Sequence, residues 1–450
     1  MTETQTVTPV HPIATGDVIP SSPAPEPPVV PPPPFTPHDP PSRATASRSL
    51  VEWRRGWPLV GAAMVGAGLG PGLFQNMSSI FTPALQAAFG WSRGDIATAA
   101  GLGLIGALVA PLVGRLADRF GVRPVILGSM LLLAAGYLCL ALLAGGLWQY
   151  HLGVLLIVMA LPGTSSLSYG KLIAVAFRRQ RGLALALGTS GLALMTMVAA
   201  PVLGAVVAQW GWRAGFVLLA VAGTVLALPP ILLGIRGIPA AAAPPVVADA
   251  PLLPGVSAKE ARRDRRFWLM VASALLVNLA TTGLVTQLVP IGVDRGLGGG
   301  QAALLLTGFG VSAIAGRLLV GTLIDRFRPQ PVAAAVALVS AAAFALLAGG
   351  AHGLVPLMLL VFLAGLMNGA ENDLLPFLAA RLFGLRAYAE IYGSAMPVAL
   401  LGTALGIIGF GRLHDLFGNY AVALAIGCAA LLAAATCFLL LPDRADASPN

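Results

Sequence analysis

The chain has 450 residues, of which 57% are hydrophobic and only 10% are charged. A soluble globular protein carries roughly 25% charged residues, so these few charges exclude a mainly water-exposed surface, and lipid must face much of the protein. The net charge of +9 comes without the basic stripe and interleaved aromatic residues of a nucleic-acid interface, so no nucleic-acid partner is indicated.

Residues 1–56 form a proline-rich segment that includes the run VVPPPPFTPHDPP and no apolar core. Such a segment is not a signal peptide and cannot bury enough surface to fold. We therefore predict a disordered cytoplasmic tail at 1–56. Docking of a partner through a polyproline helix is the alternative to an unstructured leader.

Twelve apolar segments follow, each long enough for the roughly 20 residues that a membrane span needs. The first six are 57–84, 94–115, 123–145, 149–175, 182–208 and 212–236. The last six are 266–291, 300–324, 329–350, 353–379, 387–411 and 419–441. The predicted fold is an all-α polytopic membrane protein with six-helix bundles at 57–236 and 266–441, a cytoplasmic linker at 237–265 and a C-terminal tail at 442–450.

Arginines between the spans predict the orientation. One side carries Arg115, Arg119, Arg123, Arg178, Arg179, Arg181, Arg326, Arg328, Arg381, Arg386 and the basic end of the linker, AKEARRDRRF. The other side carries only Arg93, Arg213, Arg295 and Arg412. By the positive-inside rule both termini are cytoplasmic, which predicts a multi-pass inner-membrane protein, and we expect a monomer. The basic linker end resembles a short amphipathic helix that lies on anionic headgroups.

The two groups of six spans are related by a constant offset of 207 residues. The matched pairs are Gly114 and Gly321, Asp118 and Asp325, Arg119 and Arg326, Phe120 and Phe327, Pro124 and Pro331, Gly204 and Gly411, and Gly211 and Gly418. A parallel repeat of six-span halves is the plan of one large transporter fold, whose halves can rock about a shared central site.

GRLADRFGVRPV at 114–125 resembles the loop signature of the major facilitator superfamily, and GTLIDRFRPQPV at 321–332 is a weaker second copy that lacks the glycine after Phe327. The resemblance covers 57–441 and implies the twelve-helix fold of that family. It also implies that this loop holds one conformation of the carrier. The predicted gating residues are Gly114, Asp118, Arg119, Arg123, Gly321, Asp325 and Arg326. A basic turn that only fixes topology is the structural alternative.

Three further stretches are similar to bacterial carriers of the monocarboxylate and oxalate–formate type. They are FGWSRGDI at 89–96, ENDLLPFLAARLFGLRAYAEIYG at 371–393 and GRLHDLFGNYAVAL at 411–424. This resemblance implies an organic-anion substrate.

Strongly polar residues inside the apolar spans fall in spans one, four, seven and ten, the spans that line the central cavity in the superfamily. The predicted substrate-binding residues among them are Gln75, Asn76, Tyr169, Lys171, Asn278 and Asn368. An ion at the bilayer centre costs about 2.5–3.5 kcal/mol, so a buried charge must face water, pair or neutralise. Lys171 is the predicted counter-ion for an anion, and snorkelling to the membrane edge is its alternative.

Glu371 and Asp373 are the predicted proton-coupling residues. The two side chains point about 200° apart on a helix, so we expect only one of them, Glu371, to face the cavity centre. A structural hydrogen bond between helices is the alternative reading for Glu371.

Two helix breaks are predicted within the spans, at GAGLGPG in 66–72 and at Leu161-Pro162-Gly163. Proline removes a backbone donor and glycine permits bending, so these breaks suit a mobile site. Close helix packing through Gly66-x-x-x-Gly70 and Gly365-x-x-x-Gly369 is the alternative role of the glycines.

The sequence therefore predicts a secondary transporter of small organic anions, coupled to protons and working by alternating access. Efflux of drugs or hydrophobic metabolites by proton antiport is the second transport hypothesis, and a non-transporting membrane sensor or scaffold is the third. No P-loop, nucleophile–base pair or clustered metal ligands are present, so we predict no enzyme activity, no cofactor and no metal.

Overall fold

A computed structural model describes residues 43–143, 145–164, 168–169, 172–173, 176–177, 181–235, 255–324, 326–384 and 386–442. The backbone separates into two units, Met1–Ser47 and Arg48–Asn450. Of the first unit the structure describes only residues 43–47, at the start of a helix. All sites discussed below lie within Arg48–Asn450.

Helices make up nearly all of the described chain. Before the linker they are α1 (Arg43–Gly68), α2 (Pro71–Phe89), α3 (Arg93–Thr98), a 3₁₀ turn (Ala99–Leu102), α4 (Gly103–Phe120), α5 (Val122–Ala141), α6 (Leu147–Met159), α7 (Leu161–Thr164), α8 (Arg181–Val221), a π turn (Ala222–Leu226) and α9 (Leu228–Ile235). After it they are α10 (Ala258–Arg263), α11 (Arg265–Val285), α12 (Leu288–Asp294), α13 (Gly299–Ile324), α14 (Pro329–Ala348), α15 (Leu354–Phe383), α16 (Tyr388–Phe417) and α17 (Ala421–Leu439).

Nine helical stretches of the described chain are long and apolar enough to cross a membrane, and Leu147–Met159 is a shorter apolar helix. One stretch, Ser190–Gly234, runs through both the fifth and the sixth predicted spans. The boundary between these two spans is the break in α8 at Gly211. The helices thus follow the predicted spans, and the predicted all-α polytopic membrane fold is confirmed.

Both predicted helix breaks are present. Helix α1 ends at Gly68 and α2 begins at Pro71, and the fourth span is interrupted between Met159 and Leu161. A proline at the start of α2 loses no hydrogen bond, because the first N–H groups of a helix have no intrahelical partner.

The repeat is visible in the backbone as well as in the sequence. Gly211 and Gly418, which match under the repeat offset, both adopt a positive φ, of 82° and 68°. Gly121 also has a positive φ, of 89°, whereas Arg328 at the matching position has φ −63° and directly precedes α14. The loop between the second and third spans of each half therefore turns differently in the two copies.

The predicted short basic helix of the linker is also present, as α10. The side chain of Ser257 accepts the backbone N–H of Glu260, and Glu260 accepts that of Ser257, which together cap its first turn. Arg262 in this helix pairs with Glu390 at 3.2 Å, so at least one of its basic side chains binds the protein.

Contacts between the elements before and after the linker run along α8 and α13 and along α3 and α16. Within the later elements α11 packs on α16, and α13 packs on α15. Glycines allow both of these close approaches. A Cβ at Gly369 would overlap the carbonyl oxygen of Ala313, and one at Gly406 would overlap that of Leu279. The predicted packing role therefore holds for Gly369.

We expect Gly406→Ala to lower the stability of the purified protein, because the added methyl group forces α11 and α16 apart. Overpacking of this kind costs about 1–3 kcal/mol, which thermal unfolding in detergent would record as a lower midpoint. Gly409→Ala on the same helix is the matched control, because open space lies beside Gly409. Equal midpoints for both variants would contradict the close approach.

Candidate functional site

The main cavity lies between α2, α3, α6, α16 and the junction of α11 with α12. The space between its lining atoms amounts to about 890 Å³, part of it open to solvent. Its polar side chains are Gln75, Ser78, Thr82, Tyr150, Thr286, Gln287 and Thr403. The rest of the wall is apolar and includes Phe74, Ile157, Leu161 and Ile407. Among the described residues, no charged side chain lines this cavity. Its wall therefore suits a solute with an apolar body and a few hydrogen-bonding atoms.

A second, smaller cavity of about 430 Å³ lies between α11, α15 and α16. It is lined by Glu371, Asn278 and Tyr392 among others, and it shares Leu400 and Thr403 with the main cavity. The two cavities therefore adjoin each other along one face of α16.

Glu371 is the charged group of the smaller cavity, and it is only 9% exposed. Its Oε1 accepts a hydrogen bond of 3.1 Å from Nδ2 of Asn278, and Oδ1 of Asn278 accepts one of 3.3 Å from the Thr403 hydroxyl. Because Thr403 also lines the main cavity, these bonds connect the buried carboxyl group to the wall of the main cavity. An amide and a hydroxyl of this kind can respond to a change in the charge of Glu371.

A charged cluster adjoins the main cavity through the bond from Tyr420 to Gln287 in its wall, and we call it the Arg93 cluster. It consists of Arg93, Asp294, His414, Asp415 and Tyr420. Arg93, at the start of α3, is 8% exposed and binds both carboxylate oxygens of Asp294, at 2.6 and 2.7 Å. It also donates to the Tyr420 hydroxyl at 2.9 Å.

Other members of the Arg93 cluster complete the contact between α3 and α16. Asp415 accepts the backbone N–H groups of Arg93 and Gly94, at 3.2 and 2.8 Å, and Nε2 of His414 lies 3.5 Å from Asp294. Burial lowers the pKa of Arg93, but its bonds to Asp294 and Tyr420 outweigh that effect and raise the pKa, so the guanidinium stays charged. A buried, charge-assisted contact thus joins elements from before and after the linker.

The other three arginines on the predicted outer side also bind the protein. Arg412 pairs with Asp95 at 3.2 Å in an exposed position. Arg213 donates to the carbonyl of Leu143, and Arg295 donates to the carbonyls of Leu347 and Ala351.

The structure gives the predicted substrate-binding residues different surroundings. Gln75 lines the main cavity and Asn278 lines the smaller one. Asn76 donates to Thr196 at 3.0 Å, and Asn368 donates to Thr281 at 3.3 Å, so both amides hold helices together.

Tyr169 is 2% exposed and packs against Gly66, and it is not part of the main cavity wall. Lys171, the predicted counter-ion, lies outside the described residues, as does the side chain of Asp373.

The described gating residues lie in the last turns of α4, in the first turn of α5, and at and just after the end of α13. Arg119 is exposed and its guanidinium lies over the ring of Phe120, Arg123 is half-buried, and Arg326 is exposed. The side chain of Asp118 and the whole of Asp325 lie outside the described residues. Open space lies beside Gly114 and Gly321.

Sequence reasoning missed two charged features, one beside the main cavity and one outside the lining of both cavities. The Arg93 cluster was one, because Arg93 had been interpreted only as a topology signal. Arg317 was the other; it is a half-buried guanidinium inside the spanning helix α13. The signal was present in the sequence as an arginine within an apolar run, which is costly in lipid and marks a functional candidate.

Comparison with known proteins agrees with this architecture. The sequence profile described as Major Facilitator Superfamily matches residues 63–407 and 283–450. The chain is 28% identical over 388 residues to monocarboxylate transporter 11 of Homo sapiens, covering 83% of this chain and 74% of that protein. It is 29% identical over 391 residues to the 3-(3-hydroxy-phenyl)propionate transporter of Escherichia coli (strain K12), covering 84% and 92%. It is 30% identical over 359 residues to a chloramphenicol resistance protein of Streptomyces lividans, covering 78% and 87%.

Proposed function

The chain belongs to the major facilitator superfamily of membrane transporters, and we propose that it carries small organic anions, such as monocarboxylates, together with protons. The observation that carries this proposal is the buried carboxyl group of Glu371, bonded through Asn278 to Thr403 on the wall of the main cavity. A buried carboxyl group next to a solute cavity can take up and release a proton as its exposure changes. Two relatives named as transporters of carboxylates support the anion class.

Alternating access follows from the same arrangement. Residues from both predicted halves, 57–236 and 266–441, line the main cavity, and we propose that the adjoining Arg93 cluster closes one end of it. Rocking of the halves would separate Arg93 from Asp294 and open that end. Water would then solvate the two separated charges, so the opening avoids the cost of an unpaired charge in a site without water.

The negative charge of the substrate needs a positive partner. Lys171 remains our predicted counter-ion. A cation is costly to hold in the membrane, and a bound anion would lower that cost.

The distribution of arginines supports an inner membrane protein with both termini in the cytoplasm. We propose separately that the protein acts as a monomer. In that orientation the Arg93 cluster lies at the outer end of the main cavity.

Uptake by the purified protein in liposomes tests the proposal. With an acidic exterior we expect accumulation of radiolabelled pyruvate or 3-phenylpropionate beyond that of protein-free liposomes, which report passive leakage. One pH unit supports about tenfold accumulation per proton carried, because a tenfold ratio is worth about 1.4 kcal/mol. Uptake equal to that of protein-free liposomes for a panel of monocarboxylates would contradict the proposal.

Proton-driven efflux of hydrophobic compounds is the second candidate function. It is favoured by the relative named as a chloramphenicol resistance protein and by the largely apolar wall of the main cavity. Expression in a drug-sensitive strain separates the two candidates, because an efflux protein raises the tolerated chloramphenicol concentration and an anion importer leaves it unchanged.

A further inference from the structure

Gln287 lies at the break between α11 and α12, where the backbone leaves the helix with φ −118° and ψ 6°. Its side chain lines the main cavity, yet the residue is only 3% exposed. Thr286 beside it lines the same cavity, but its hydroxyl bonds to the carbonyls of Thr282 and Gly283 within its own helix. The helix break thus presents an amide group to the cavity.

The hydrogen bonds of the Arg93 cluster fix which way this amide points. The Arg93 guanidinium has only donors, so the Tyr420 hydroxyl must accept from it at 2.9 Å. The proton of that hydroxyl then goes to Gln287, whose Oε1 lies 2.7 Å away. Because Oε1 of Gln287 faces Tyr420, Nε2 of the same amide points away from Tyr420.

Among the side-chain hydrogen bonds of the described residues, Gln287 takes part only through Oε1, and its Nε2 donates to none of them. Most cavity hydroxyls are used, since Ser78, Thr82, Thr286 and Thr403 each donate to a neighbouring oxygen. An amide nitrogen at the wall of a solute cavity, with its oxygen already bound, is a donor for an oxygen atom of the solute.

We infer that Gln287 binds a carboxylate oxygen of the substrate through Nε2 and links the occupied cavity to the Arg93 cluster through Tyr420. This inference rests on the proposed anion transport. Hydrogen bonds in a chain polarise one another, so an anion on Nε2 makes Oε1 a stronger acceptor for Tyr420. Substrate binding therefore stabilises the closed Arg93 cluster, and by linkage the closed cluster raises substrate affinity.

Gln287→Glu tests the donor, because it keeps an oxygen for Tyr420 and replaces the amide nitrogen by a second oxygen. We expect the KM for pyruvate or 3-phenylpropionate uptake to rise roughly 10- to 100-fold, the effect of losing a hydrogen bond to a charged group. Gln287→Asn, which keeps the amide but shortens it, is the comparison and should be affected less. An unchanged KM in Gln287→Glu would overturn the binding role.

Tyr420→Phe tests the link, because it removes the hydroxyl between Gln287 and Arg93 and leaves the donor in place. Spin labels on cysteines at the exposed positions Ala88 and Leu416, after replacement of Cys139, Cys428 and Cys437, report the separation of α2 from α16. Substrate should narrow this distance distribution in the parent protein and not in Tyr420→Phe. The same narrowing in both would overturn the link.

The two proposals fail differently in these measurements. A parent protein that neither takes up any monocarboxylate nor responds to one in the distance measurement would contradict the proposed function and the inference with it. A parent protein that transports, with unaltered KM in Gln287→Glu, would contradict the inference alone.

Discussion

Glu371→Gln is expected to abolish proton-driven accumulation of substrate, to the level of protein-free liposomes. The glutamine keeps an oxygen that can accept from Asn278, so the bonds from Asn278 to Thr403 can persist. It cannot release or bind a proton in the working pH range, so the gradient can no longer bias the carrier. Exchange of labelled for unlabelled substrate across the membrane should continue, because exchange needs no net movement of protons.

Glu390→Gln is the matched control for this prediction. It makes the same chemical change at an exposed position, where Glu390 pairs with Arg262 on the surface. Exposed ion pairs contribute at most about 1 kcal/mol, so we expect accumulation to be unaffected. Normal accumulation by Glu371→Gln, in the same vesicles, would exclude Glu371 as the proton carrier.

The spans and their breaks could be predicted because each depends on residues that are close together in the sequence. A sufficiently long apolar run is stable only in the membrane or in a protein core. Pro71 and Pro162 mark the helix breaks because proline has no backbone N–H group. The repeat was equally visible, because glycines such as Gly211 and Gly418 recur at one offset. Both have a positive φ, although ψ is 170° at Gly211 and 5° at Gly418.

The partners of the polar residues could not be predicted in the same way. Asn76, Asn368 and Asn278 look alike in the sequence, since each is an amide inside an apolar span. Asn76 and Asn368 each donate to a threonine of a neighbouring helix, and Asn278 donates to Glu371. Which case applies depends on helix rotation and pairing, which composition does not specify.

The Arg93 cluster was hidden for a related reason. Arg93 is more than 200 residues from Asp294 and more than 300 from Asp415 in the chain, and each is unremarkable in its own loop. The cluster forms only where α3 meets both Asp294 at the end of α12 and Asp415 on α16. A positive charge near a span end predicts topology equally well whether or not it has a buried partner.

Asp294→Asn is expected to shift the carrier towards the conformation in which the Arg93 cluster is open. Asparagine can accept one hydrogen bond from Arg93, but the buried guanidinium loses its counter-charge. Asp294 is partly exposed, so we expect a loss of about 1–3 kcal/mol rather than the larger cost of breaking a fully buried pair. The ratio of closed to open molecules should then fall roughly 5- to 150-fold. The spin labels at Ala88 and Leu416 would record this as a longer distance without substrate.

Arg412→Gln separates this effect from a general loss of ion pairs at α3. It breaks the ion pair between Arg412 on α16 and Asp95 on α3, but Arg412 is exposed and Asp95 is only half-buried, so water replaces much of the lost contact. We expect a much smaller shift in distance for Arg412→Gln than for Asp294→Asn. Equal shifts would mean that the number of ion pairs, rather than the burial of Arg93, holds this end of the cavity closed. If the separation of Arg93 from Asp294 controls access to the cavity, only Asp294→Asn should give a large shift in the distance between the spin labels.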